Sequence, residues 1–142
     1  MQRERERSSM VGEKILIVED DAMIAADVQD IVVSFGYEVL GIADSFESAQ
    51  RLAPFATIAL VDVNLRDGAT GPRIAQYLAN DFGVAVVMVT ANPEVIVTAL
   101  SKVIGLISKP AQPQLIGSVL GYLRAIREGS PGSPPDGMRI FA

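Results

Sequence analysis

Three acidic residues in a row, Glu19-Asp20-Asp21, follow the apolar run Ile15-Leu16-Ile17-Val18, and a further aspartate, Asp62, follows the run Ile58-Ala59-Leu60-Val61. A third run, Val84 to Val89, ends in Thr90, and the stretch Gly105 to Ser108 ends at Lys109. Carboxylates gathered without a cation repel one another, and one of them has its pKa raised; a divalent cation resolves the conflict. Hard oxygen ligands with no nitrogen or sulfur donor favour Mg²⁺, which takes a few carboxylates and leaves room for waters and phosphate oxygens. Beside such a cation Asp62 can act as a nucleophile toward phosphorus, and the metal shields the incoming anion from it. Lys109 adds a mobile cation and Thr90 a hydroxyl donor. Phosphoryl transfer needs mainly positioning and charge neutralisation, so these groups suffice without a histidine base.

Each group also has an ordinary structural role. An acidic trio after a strand serves as a helix N-cap cluster, Asp62 can begin a turn, Thr90 can cap the helix after it, and Lys109 can be solvated. What separates the two readings is whether the four places meet. The short β-branched runs that precede them read as buried strands, and strands alternating with helical patterns form a parallel sheet. Ligands bind such sheets at the carboxyl ends of the strands, so Glu19, Asp20, Asp62 and Thr90 are expected to share one crevice.

The elements between these runs support that arrangement. Ile24, Val28, Ile31, Val32 and Phe35 share one face at helical spacing, with Asp21 placed to cap the start and Gly36 the end. A second strand is expected from Tyr37 to Ile42, then a short helix capped by Ser45, carrying Phe46, Ala49 and Leu52 and stopping at Pro54. The loop Asn64 to Gly71 leads to a helix carrying Ile74, Ala75, Leu78 and Phe82 that Gly83 ends. Ala91-Asn92-Pro93 opens a segment, Val95-Ile96-Val97-Thr98, of mediocre helix propensity. The helix after Pro113 carries Leu115, Val119, Leu120, Leu123 and Ile126. Five βα units in succession make a doubly wound α/β domain over residues 13–127.

Before that domain, Arg and Glu alternate from Arg3 to Arg7 ahead of Ser8 and Ser9, and residues 1–12, with no apolar face to bury, read as a mobile arm. After it, residues 128–142 are rich in Gly, Ser and Pro and read as a linker with an apolar end, which either frays or docks Ile140 and Phe141 in a groove of this molecule or another. The 142 residues are enough for one compact domain. Cysteine and histidine are absent, which removes disulfides, thiolate sites, the commonest metal ligand and the commonest general base. A net charge of −5 with scattered basic residues argues against nucleic acid as a partner. No apolar stretch is long enough to cross a bilayer and the N-terminus lacks a signal-peptide centre, so a soluble, cytoplasmic protein is expected.

Ile15 to Asp21, Leu60-Val61-Asp62-Val63-Asn64, Val89-Thr90-Ala91 and Ser108-Lys109-Pro110 resemble, in order and approximate spacing, the four motifs of response-regulator receiver domains of the CheY-like type. The resemblance covers about Lys14 to Arg127. It implies a flavodoxin-like, five-stranded parallel sheet of order 2-1-3-4-5 with helices on both faces. It also implies Asp62 as phosphoacceptor, Mg²⁺ held by Glu19, Asp20, Asp62 and the Asn64 main-chain carbonyl, Thr90 as switch hydroxyl, and Lys109 as the contact to the phosphoryl group. The Lys109-Pro110 bond is commonly cis in the family. Leu106 stands where many receivers carry an aromatic residue, and the segments after Asp62 and after Thr90 are short. In these points the chain is similar to single-domain alphaproteobacterial receivers, including those of general stress signalling.

The expected function is therefore a stand-alone, non-enzymatic response regulator. It would accept a phosphoryl group on Asp62 from a histidine kinase or phosphotransfer protein, with the first helix near Ile24 and Ala25 as a docking face, and signal to a further protein. Family analogy allows a homodimer through the segment after Pro93, the fifth strand and the last helix. Two alternatives are a magnesium-dependent phosphatase of the haloacid-dehalogenase type and a receiver-like scaffold that is never phosphorylated. The phosphatase family places its nucleophile after the first strand and a second aspartate two residues on, where this chain has Asn64.

Overall fold

The computed structural model describes residues 12–65, 70–93, 102–130 and 132–141. Six strands form one sheet in the order β2-β1-β3-β4-β5-β6, comprising β1 (Lys14–Val18), β2 (Glu38–Ala43), β3 (Ile58–Asp62), β4 (Ala85–Thr90), β5 (Gly105–Ser108) and β6 (Met138–Ile140). The first five are parallel and follow the expected 2-1-3-4-5 order. The sheet departs from a five-stranded one in its last strand, which runs antiparallel to β5. An apolar edge strand with unpaired backbone groups is a liability, and β6 covers it.

Alternation along the strands divides the core in two. Ile15 and Ile17 of β1, Leu60 of β3 and Val87 of β4 pack with Val32 of α1 (Ala22–Ser34) and with Ile116, Val119, Leu120 and Leu123 of α4 (Pro113–Arg127). The intervening residues, Leu16, Val18, Val61, Val86 and Met88, pack on the other face with Ala49 of α2 (Phe46–Leu52) and Ile74, Ala75 and Leu78 of α3 (Thr70–Phe82). The strands are buried on both faces, which is why they read as continuous apolar runs.

Local signals set the element ends. Asp21 caps α1 by accepting from the amides of Met23 and Ile24 at 3.0 and 3.2 Å. Ser45 and Ser48 form a reciprocal capping box at the start of α2, and Pro54 sits in a 3₁₀ turn, Ala53–Phe55, that ends that segment. Gly36 and Gly83, after α1 and α3, have φ of 89° and 65°, a conformation that side chains with a Cβ resist. The buried face of α1 is rotated from the expected one: Ala25 and Val32 are fully covered, whereas Ile24 and Phe35 remain 39% and 37% exposed. Small Ala25 is covered while Ile24 stays half-exposed and lines a crevice. The helix expected over Val95–Thr98 lies outside the described residues, as does the arm up to residue 11.

At the opposite end of the sheet from the strand tips, Glu13 is buried, accepts from Thr57 Oγ1 at 2.8 Å and pairs with the Arg127 guanidinium. This joins the starts of β1 and β3 to the end of α4. Of the residues after Arg127, Phe141 packs partly buried against the cluster containing Val103 and Leu106, and its amide donates to the Ile104 carbonyl at 2.9 Å. Among the described residues no helix is long and apolar enough to cross a membrane.

Candidate metal and phosphoryl site

The parallel register carries four chemically distinct side chains to one end of the sheet. Val18 lies beside Val61, Asp62 beside Val89, and Thr90 beside Ser108, so Glu19, Asp62, Thr90 and Lys109 sit at adjacent strand tips. Backbone bonds past the strand ends fix the loops: the Glu19 amide donates to Ala43 O, the Val63 amide to Val89 O, and the Lys109 amide to Thr90 O at 2.8 Å.

The side chains converge as well. Carboxylate oxygens of Glu19, Asp20 and Asp62 lie within 4.8 Å of one another. Glu19 and Asp62 are buried, each 5% exposed, and Asp20 is half-buried. Lys109 Nζ reaches Asp62 Oδ2 at 2.9 Å and Glu19 Oε1 at 3.5 Å. Burial and a hydrogen bond shared with Asp62 push the Glu19 carboxyl up to about 7, against the opposing pull of the Asp21 amide and the Lys109 charge. Burial works against the charge on Lys109, but the hydrogen bond and charge of Asp62, with those of Glu19, outweigh it and raise the ammonium pKa. Clustered oxygen donors in a partly open site suit a hard divalent cation.

Asn64 is more than a main-chain ligand candidate. Its amide donates to Asp62 Oδ1 at 2.9 Å, and its side-chain oxygen accepts from Thr90 Oγ1 at 3.4 Å and from the Ala91 amide at 3.2 Å. Asn64 therefore bridges the β3 and β4 loops. Thr90 is buried, and its hydroxyl also accepts from the Asn92 amide at 3.0 Å, so its ordinary turn-capping role is present alongside its place at the site. The Lys109-Pro110 bond is cis. Leu106 is 2% exposed, three residues before Lys109 on β5.

Sequence reasoning passed over one positioning residue, Gly71, at the start of α3. A Cβ there would lie 2.5 Å from the Asp62 carbonyl oxygen and 2.8 Å from that of Val63. The backbone carrying Asp62 thus rests against the helix without an intervening side chain. Only its place at a helix start after the Asp62 loop could have signalled this. A crevice of about 570 Å³ is lined by Ile24, Val28 and Ile31 of α1, by Ile116 of α4, and by Asp62 and Lys109.

Residues 15–120 match the family of the response regulator receiver domain. The chain is 32% identical over 120 residues to the phyllosphere-induced regulator PhyR of Methylorubrum extorquens, a match covering 82% of this chain and 45% of that protein. It thus spans about half the length of that curated relative. Among solved structures, the receiver domain of PhyR from Erythrobacter litoralis superimposes with a TM-score of 0.72 at 26% identity, covering 88% of this chain and 98% of that one. A CheY-like receiver domain protein from Methanospirillum hungatei superimposes with a TM-score of 0.67 at 26% identity, covering 83% and 98%. With the acidic cluster, the lysine and the threonine at the tips of a 2-1-3-4-5 sheet, the chain belongs to the response-regulator receiver family and is related to the PhyR-type regulators.

Proposed function

We propose that this receiver is a phosphorylation-controlled, non-enzymatic regulator in the cytoplasm. Asp62 accepts a phosphoryl group from the phosphohistidine of a histidine kinase or phosphotransfer protein, and the signal leaves through protein contacts. The observation that carries this reading is the Lys109 ammonium 2.9 Å from Asp62 Oδ2 beside the three clustered carboxylates. The Asn64 amide holds Asp62 Oδ1 and Lys109 holds Oδ2, so the attacking oxygen is Oδ2 once the ammonium moves onto the incoming phosphoryl group. Attack forms the O–P bond of an acyl phosphate as the P–N bond to the donor breaks, and Lys109 passes from the carboxylate to the new phosphoryl oxygens.

Glu19, Asp20, Asp62 and the Asn64 main-chain carbonyl would hold Mg²⁺, which would neutralise the charge gathering between nucleophile and phosphoryl group. Thr90 would leave Asn64 to donate to a phosphoryl oxygen. The crevice lined by the half-exposed Ile24 would receive the donor's helix, since apolar walls beside an acidic centre suit an amphipathic partner. The 32% sequence identity to PhyR, which in one solved structure is described as a stress response regulator, supports the stress-signalling branch. Asn64, in place of a second aspartate, argues against a haloacid-dehalogenase-type phosphatase.

The test is incubation with Mg²⁺ and acetyl phosphate, followed by intact-mass measurement and size-exclusion chromatography. One hydroxylamine-labile phosphoryl group per chain is expected. Sustained release of phosphate from small phosphoesters without a labelled protein would instead favour the phosphatase.

A further inference from the structure

β6 is held narrowly. It pairs Gly105 with Ile140, Leu106 with Arg139 and Ile107 with Met138, and the Phe141 ring and amide supply the anchor beyond its end. The stretch leading to it, residues 128–137, is Gly, Ser and Pro-rich, and of its described members only Pro135 is part-buried. The edge it covers is built for a strand. Gly105 has no positive φ to explain its type, but a Cβ there would lie 2.2 Å from the Arg139 carbonyl oxygen and 3.3 Å from Ile140 Cα. Gly105, Leu106 and Ile107 are all buried, so an uncovered β5 would present an apolar strand with unpaired backbone groups.

We propose that the outer edge of β5, covered in cis by Met138–Phe141, is a strand-addition site that takes the same segment from a second copy of the chain when its own segment leaves it. The recognised features are the backbone ladder running antiparallel to β5, the partly buried apolar Met138 and the aromatic Phe141, with register set by the absent side chain at Gly105. The linker keeps the chain's own segment at an effective concentration on the order of millimolar, so the cis form excludes the trans one until its anchor weakens. The site is separate from the chemistry at Asp62 and stands whether or not Asp62 is phosphorylated.

The test uses the full chain and a fluorescent peptide of residues 134–142. Phe141→Ala, which weakens the cis anchor, is expected to bind the peptide at least tenfold more tightly than the unsubstituted chain. Gly105→Val is expected to abolish peptide binding, and to speed hydrogen exchange at the residue 141 amide at least tenfold. Equal peptide affinity of Phe141→Ala and the unsubstituted chain would overturn the proposal, as would peptide binding to Gly105→Val as tight as to Phe141→Ala. Should Gly105→Val fail to fold, the Phe141→Ala comparison decides alone.

Discussion

Asp62, Asn64 and Thr90 form a chain of contacts in which one residue reports on the next. Asp62→Asn keeps the shape but removes the nucleophile, so acetyl phosphate labelling should fall to background by intact mass. Thr90→Ala should leave labelling and reduce the conformational response only in part. A charge-assisted hydrogen bond contributes about 1.5–3 kcal/mol, whereas driving a two-state element from off to on takes about 5.5 kcal/mol. On the proposed function, the Lys109 ion pair and repacking near Leu106 would supply the remainder, and phosphorylation-dependent chemical shifts away from the site would measure the loss. Gly71→Ala places a methyl against rigid backbone, 2.5 Å from the Asp62 carbonyl oxygen. Overpacking of this kind costs about 1–3 kcal/mol, and urea denaturation together with a slower labelling rate would record it.

Elements convert these residues into a site through their ends. α1 begins at Asp21, directly after two of the clustered acids, so the cap that starts the helix also holds the loop carrying Glu19 and Asp20. Asp21→Ala should destabilise the fold by about 1 kcal/mol, read as a lower urea midpoint at unchanged slope. The cost arises because the amides of Met23 and Ile24 lose their acceptor. β5 has two separate duties: its carboxyl end delivers Lys109 to Asp62, and its outer edge takes β6. The bulky, apolar Leu106 sits between those duties, against Met88 of β4 on one side and Arg139 of β6 on the other.

For the whole molecule, the proposed Mg²⁺ site links cation binding to stability, since carboxylate oxygens of Glu19, Asp20 and Asp62 lie within 4.8 Å of one another. Mg²⁺ bound only by the native state stabilises by mass action, about 2.7 kcal/mol at a hundredfold excess over Kd. The melting temperature should therefore rise with Mg²⁺ concentration and fall back on chelation with EDTA. Asp20→Asn removes one of the repelling charges. It should melt higher than the unsubstituted chain in EDTA yet gain less from Mg²⁺, and differential scanning fluorimetry reads both arms.

The strand runs, the caps at Asp21 and Ser45, the glycine ends of two helices and the acidic set were all legible in sequence, because each follows from short-range chemistry or from burial on both faces of a sheet. The order of parallel strands and the family came with the four motifs. The Asn64 bridge, the close approach at Gly71, the exposure of Ile24 and the return of Met138–Ile140 to β5 were not legible. Each depends on which backbone lies opposite which, a relation between residues distant in sequence that only packing decides. A three-residue strand after a Gly and Pro-rich stretch has no periodicity of its own; its state is set by the open edge it meets.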